Sequence, residues 1–231
     1  MVKKPVLGIM LLDTTFPRIP GDVGHPDSYS FPVLMRTVPG ATVQRAVFEA
    51  DPSLLQSFVR TACELEAQGV AAITSSCGFL APLQEKVAQA VKIPVFLSSL
   101  LQVPLAYALT GGRVGILTAN APSLTAPVLT SAGIPASLPV AIGGMQDTPA
   151  FRDPILNGEV QLNKAEVQAG VVRQVCSLLR QYPDIQSFVF ECHNLAPYSQ
   201  AAQAETGLPV FDILSLAEWV YSSIVKRAFQ P

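Results

Sequence analysis

Short apolar runs alternate along this chain with longer stretches in which apolar residues recur at helical spacing. Val6–Leu12, Thr42–Phe48, Val70–Ser75 and Val95–Leu97 predict strands in the first half. Val114–Leu117, Leu138–Ile142, Phe188–Phe190 and Val210–Phe211 predict strands in the second. Between them lie helical segments such as Pro52–Gln68, where Leu55, Phe58, Ala62 and Leu65 share one face. Asp51 reads as the N-cap of that helix, Pro52 suits its first turn, and Gly69 supplies its stop. Strands alternating with helices imply an α/β fold with parallel sheets covered on both faces. The stretch Thr14–Gly40, which carries five prolines, His25 and Arg36, reads as a long loop, either a lid or a rigid cover.

The pattern repeats. Val59-Arg60-x-x-Cys63 recurs as Val172-Arg173-x-x-Cys176, 113 positions later. Cys77 and Cys192 each follow a strand and stand 115 positions apart, as do Ile93-Pro94-Val95-Phe96 and Leu208-Pro209-Val210-Phe211. The two extra residues fall around Tyr182-Pro183, and Val114-Gly115-Ile116 echoes Leu7-Gly8-Ile9. The expectation is two pseudo-symmetric parallel-sheet α/β domains, residues 1–105 and 106–208, with the active site between them. The last helix, Ser215–Ala228 within 209–231, is expected to pack back onto the first domain.

Composition narrows the function. A net charge of -2, with Lys and Arg scattered, argues against nucleic-acid partners. No apolar run reaches the roughly 18 residues of a membrane span. Met1-Val2-Lys3-Lys4 before an apolar run imitates a signal peptide, but Asp13 ends the run early, and a cytoplasmic location is expected. Four cysteines and two histidines without metal-ligand spacing suggest neither a disulfide framework nor a metal. No GxGxxG follows the first strand, and Gly143-Gly144-Met145 is too weak for a phosphate loop.

Ligands of open parallel sheets bind beyond the carboxyl ends of strands, where Cys77 and Cys192 stand. Each precedes a helix start, with Pro82 and Pro197 near the first turn. Helix N-termini favour carboxylates and thiolates. If the halves face each other, two thiols meet across one cleft, a base on one face of a carbon and an acid on the other. Cys63 and Cys176, inside amphipathic helices, read as small buried hydrophobes.

Thr74-Ser75-Ser76-Cys77-Gly78-Phe79 and Glu191-Cys192-His193-Asn194-Leu195-x-Pro197-Tyr198 resemble the two cysteine motifs of the aspartate/glutamate/hydantoin racemase superfamily. The resemblance extends to the opening strand, to Phe16-Pro17-Arg18-x-Pro20-Gly21-Asp22 and to Gly115-Ile116-Leu117-Thr118. It implies racemisation or epimerisation of an amino acid or a hydantoin, without pyridoxal phosphate or metal, by Cys77 and Cys192. Many amino-acid racemases of this family carry Asn-Thr after the first cysteine and Gly-Cys-Thr around the second. Here Gly78-Phe79 and Glu191/His193 stand instead, which puts the substrate in question more than the chemistry.

The candidate substrate-binding residues are Asp13, Thr14, Ser76, Gly78, Phe79, Thr118, Asn120, His193 and Asn194. Asp13 either contacts the ligand or caps its loop, and Thr118 and Asn120 either bind a carboxylate or cap a helix. His193 either tunes Cys192 or orients the turn, and the orienting role is preferred because neighbouring side chains at a strand end diverge. Arg18 and Arg36 read as solvated charges. Competing readings keep the scaffold for an arylmalonate decarboxylase or maleate isomerase, or make it a two-lobed small-molecule binding protein. The expected partner is a small carboxylate or amino-acid-derived molecule, with a homodimer as the assembly.

Overall fold

The computed structural model describes residues 4–159 and 161–226. The first half contains β1 (Leu7–Leu11), β2 (Val33–Thr37), α1 (Leu54–Ala67), β3 (Ala72–Ser75), α2 (Gln84–Ala90), β4 (Val95–Phe96) and α3 (Val103–Thr110). The second contains β5 (Arg113–Thr118), α4 (Ala126–Ser131), β6 (Val140–Gly144), the short α5 (Pro149–Phe151), α6 (Lys164–Gln181) and β7 (Ile185–Phe190). It closes with α7 (Ser199–Thr206), β8 (Val210–Phe211) and α8 (Ile213–Ile224). Two four-stranded sheets result, ordered β2-β1-β3-β4 and β6-β5-β7-β8, and every strand pair is parallel.

The internal repeat reaches down to strand register. Leu7 pairs Val33 and Val114 pairs Val140, each partner 107 positions on from its counterpart. Ile73 pairs Val95 and Phe188 pairs Val210, at a spacing of 115. Two-turn 3₁₀ helices follow β3 and β7 at Gly78–Leu83 and His193–Tyr198, each carrying Leu-Ala-Pro at its centre.

Alternation along β1 sends Leu7 and Ile9 to one face and Gly8 and Met10 to the other. Leu7 and Ile9 pack with Ala72 and Phe96 against Ile213, Leu216 and Ala217 of α8. Tyr221 on α8 stacks on Phe31 at 3.8 Å between ring centroids, and its hydroxyl donates to the Pro5 carbonyl at 2.9 Å. The helix is fixed at its start by a capping box, Asp212 with Ser215. The expected extension of this helix to Arg227 and Ala228 lies outside the described residues, as do Met1 to Lys3.

Two expected elements differ. Thr42–Phe48 is not a strand: Gln44–Phe48 forms one turn of π-helix. Val43, Ala46 and Val47 turn inward at helical spacing, and Arg45 pins the turn through the Gly40 carbonyl, Asp51 and Ser53. The strand lies instead inside the supposed loop, as β2. Pro32 and Pro39 bracket it and its edge position leaves it half exposed, so neither periodicity nor composition marks it. Cys63 is exposed and Cys176 half-buried, so neither is the buried hydrophobe expected. Each lies on the outer side of its helix, near the Ala90 carbonyl and Glu205 respectively. No described helix is long and apolar enough to cross a membrane.

Gly8 and Gly115 occupy equivalent positions in different surroundings. A Cβ on Gly115 would meet the Phe188 ring at 2.5 Å, whereas one on Gly8 would meet the Val70 methyl at 3.1 Å. Gly115→Ala is therefore expected to cost about 1–3 kcal/mol in urea unfolding, and Gly8→Ala clearly less. Equal losses would show that the Phe188 ring yields.

Candidate active site

The carboxyl ends of β3 and β7 face one another, and the residues just beyond them line a narrow apolar pocket. Cys77 and Cys192 both line it, with Leu12, Phe16, Phe79 and Ala119. Val43 and Val47 come from the first lobe, and Ile155 and Leu156 from a second single-turn π-helix, Arg152–Leu156, in the second lobe. The two π-turns are counterparts in the repeat, each placing aliphatic side chains on the pocket. Single π-turns of this kind concentrate at functional sites.

Each thiol is 7% exposed. Burial pushes the Cys77 thiol well above the ordinary range, and the neighbouring Glu191 adds to the rise. The Phe79 backbone N–H and Arg18 pull the other way. Cys192 is raised by the same two causes in the same order and opposed by the Asn194 backbone N–H, while Cys77 and Asp22 raise it further. The N–H two residues on from each cysteine thus plays the part expected of a helix N-terminus, but desolvation outweighs it. Burial therefore favours the protonated form of both sulfurs.

Of the expected substrate-binding residues, Thr14, Ser76, Gly78, Phe79 and Asn194 line this pocket. Four do not. Asp13 is exposed and borders an adjoining outer cleft with Gln44 and Asn157, because the chain turns outward after β1. Thr118 is fully buried behind the pocket and donates to Glu191 Oε2 at 2.7 Å. The Asn120 amide donates to Ser123 in its own turn at 2.6 Å.

His193 is buried between the lobes. Its Nε2 accepts from the Ser99 N–H at 3.2 Å, so Nδ1 carries the proton and donates to the Ser75 carbonyl at 2.9 Å. Both ring nitrogens are thus engaged with backbone groups, and burial depresses the ring's pKa to about 4.

Arg18 is not the solvated charge expected. It lines the pocket, lies over the Phe16 ring at 4.4 Å, and bonds Asp22 at 2.9 Å and Thr14 at 3.0 Å. Asp22 in turn accepts from the Asn194 amide at 2.7 Å, so a chain of bonds runs from the first lobe's cation to the residue beside Cys192. Arg36 is exposed and bonds Gln68. One mark of Arg18's place does stand in the sequence: the Phe16–Asp22 segment belongs to the resemblance.

A second residue escaped the sequence reading. Glu191 is 0% exposed, Oε2 accepts from Thr118, and Oε1 has no partner. Burial raises its carboxyl pKa to about 8. Its signal was an acidic residue closing an otherwise apolar strand. Among the described residues no group of His, Cys, Asp and Glu has the arrangement of a metal site.

No protein-family model matches the chain. A dimethylsulfoniopropionate lyase of Durusdinium sp. clade D is 34% identical over 235 residues, covering 98% of this chain and 77% of that one. Dimethylsulfoniopropionate lyase 7 of Emiliania huxleyi (strain CCMP1516) is 36% identical, covering 91% of this chain and 64% of its own length. Among solved structures, unliganded arylmalonate decarboxylase superposes with a TM-score of 0.64 at 16% identity, covering 98% and 94% of the two chains. An Asp/Glu racemase homologue from Yersinia pestis gives 0.62 at 14% identity, covering 95% and 99%. The racemase-type fold therefore stands. The expected racemisation does not, nor does the isomerase class, because the relatives at 34% and 36% identity are lyases. The binding-protein reading likewise gives way to an enzyme.

The His193 bridge can be tested by pH. Unfolding lets the ring take up a proton that the fold excludes, so stability is lost as pH falls from about 6.5 through about 4. The shift corresponds to about 3 kcal/mol. In urea unfolding across this range, the parent is expected to lose its advantage over His193→Gln as pH falls. A pH-independent difference between the two would refute the neutral bridging ring.

Proposed function

The chain belongs to the dimethylsulfoniopropionate lyase family, and from that membership we propose that it splits dimethylsulfoniopropionate into acrylate and dimethyl sulfide, with a thiolate of the Cys77/Cys192 pair as base. The substrate is a carboxylate with a sulfonium on the β-carbon. Cleavage of its C–S bond is an elimination. The C2–H pair becomes the C2–C3 double bond, the C3–S pair departs on sulfur, and the proton ends on cysteine. C2 is not a stereocentre in this substrate, so there is nothing to invert. Dimethyl sulfide leaves neutral and needs no acid, so one thiol suffices for the proton transfer.

The observation that carries this reading is the lining of one narrow pocket by two thiols, Arg18 and the Phe79 ring. Arg18 uses two of its five N–H groups on Asp22 and Thr14 and has others for a substrate carboxylate. Neutralising that carboxylate raises the acidity of C2. An aromatic face suits the sulfonium by the attraction that draws onium cations to rings. The apolar walls favour a step in which a zwitterion's cationic end becomes a neutral thioether. The sulfonium itself, once beside a sulfur, opposes the desolvation that keeps the thiol protonated. His193 holds the second cysteine's turn in place, and Ser76 and Asn194 complete the polar contacts. Because the chain covers 64% of the Emiliania relative, the activity is proposed for these two lobes and not read off the whole of that protein.

The purified chain given dimethylsulfoniopropionate should release dimethyl sulfide, measured by headspace gas chromatography, and equimolar acrylate. Cys77→Ser and Cys192→Ser should be assayed singly and together. Removal of the base is expected to lower kcat about 10²- to 10⁴-fold. A double variant retaining more than about a tenth of the parent rate would overturn the thiolate mechanism.

A further inference from the structure

We propose that Glu191 is a positioning residue for protons: it competes with Cys77 and Cys192 for the one negative charge this pocket can hold, so that its ionisation keeps both thiols protonated. Its effect on turnover rests on the lyase reading above, while its effect on the thiols does not.

The geometry is specific. Glu191 is joined to Cys192 in the chain, and its Oε1 lies against Gly78, the residue after Cys77, where a methyl group would not fit. It is therefore wedged between the two cysteine turns. Thr118 satisfies Oε2, but Oε1 is buried with no partner. A stranded oxygen costs more on a carboxylate than on a neutral acid, which needs less solvation. The raised carboxyl pKa of about 8 agrees with this. Once ionised, Glu191 raises the pKa of both cysteines.

Among the described residues no positive charge is paired with its carboxylate. Thr118 approaches from the end of β5, Cys77 from the turn after β3, and Ser99, whose hydroxyl donates to the Glu191 backbone carbonyl at 3.2 Å, from the turn after β4. The titratable groups that follow it in the chain are Cys192 and His193, whose pKa burial depresses to about 4. Arg18 and Asp22 act on the thiols, and among the described residues no Lys or Arg forms an ion pair with Glu191. The repeat does not require an acid there. The equivalent residue 115 positions earlier is Ser76, whose hydroxyl merely accepts the Leu12 N–H.

Two acids sharing one charge titrate as a pair. Below about pH 8 the rate should rise as thiolate forms; above it, Glu191 has taken the charge and the rate should level off. Glu191→Gln keeps an acceptor for Thr118 and removes the competitor, so its rate should go on rising by about tenfold per pH unit. Thr118→Val withdraws the bond that favours the ionised carboxyl, and the levelling should move to higher pH.

Iodoacetamide alkylation of Cys77 and Cys192 is to be followed by peptide mass spectrometry from pH 7 to 10 in the parent, Glu191→Gln and Thr118→Val. In parallel, kcat/KM for dimethylsulfoniopropionate is measured. At pH 9, Glu191→Gln should exceed the parent by roughly tenfold in both, each relative to its own value at pH 7. Superimposable alkylation profiles would overturn the role of Glu191. Profiles that part as expected, with no dimethyl sulfide released, would sustain it and reject the lyase reading instead. If Glu191→Gln fails to fold by circular dichroism, the Thr118→Val profile decides, and no shift in it would overturn the proposal.

Discussion

The two sheets meet at their carboxyl ends, and backbone polar groups buried at that junction would be stranded without His193 and Ser99. The ring joins the Ser75 carbonyl to the Ser99 N–H, and the Ser99 hydroxyl bonds the Phe190 carbonyl at 2.6 Å. An unpaired buried group costs about 1–3 kcal/mol, so this cluster fixes one relative placement of the lobes. That placement brings the cysteines onto one pocket. It also engages both nitrogens of the imidazole with backbone groups.

Burial then governs the chemistry. The pocket that presents two thiols also raises the pKa of both, and the backbone N–H beside each sulfur is too weak to reverse that. A scaffold of this kind suits a ligand that brings its own positive charge. Neighbours of this fold, at 14–16% identity, bear names of different reactions, as expected where one fold hosts several chemistries.

Seven of the eight strands were legible from apolar runs, and the repeat made the pairing of Cys77 with Cys192 legible from the residues alone. The eighth was not, because β2 is a half-exposed edge between prolines while the more apolar Thr42–Phe48 winds as a π-turn. Tertiary anchoring of Arg45 decides that segment, and no local pattern carries it. The pocket's residues were legible where they adjoin the cysteines. Arg18 and Glu191 were not, since a charged residue reads as solvated until its surroundings are known. Asp13, Thr118 and Asn120 stand at strand ends without lining the pocket, because which side of the end faces it depends on the turn beyond. The reaction was misread because the cysteine pair marks a scaffold shared by several chemistries.

The pairing register shared by both sheets, apart from an irregularity between Arg113 and Val114, carries an ancestral meaning. A gene for one lobe, assembled as a twofold dimer, would bring one sulfur from each copy to the same seam and so make a symmetric vessel from half the code. Fusing two such genes releases each copy from being a mirror of its partner. Position 78 is a glycine where its twin, 193, is a histidine, and position 76 is a serine where 191 is a glutamate. An elimination is a one-sided task. A duplicated protein is well placed to take it up, because one half can keep the inherited tool while the other is retooled around it.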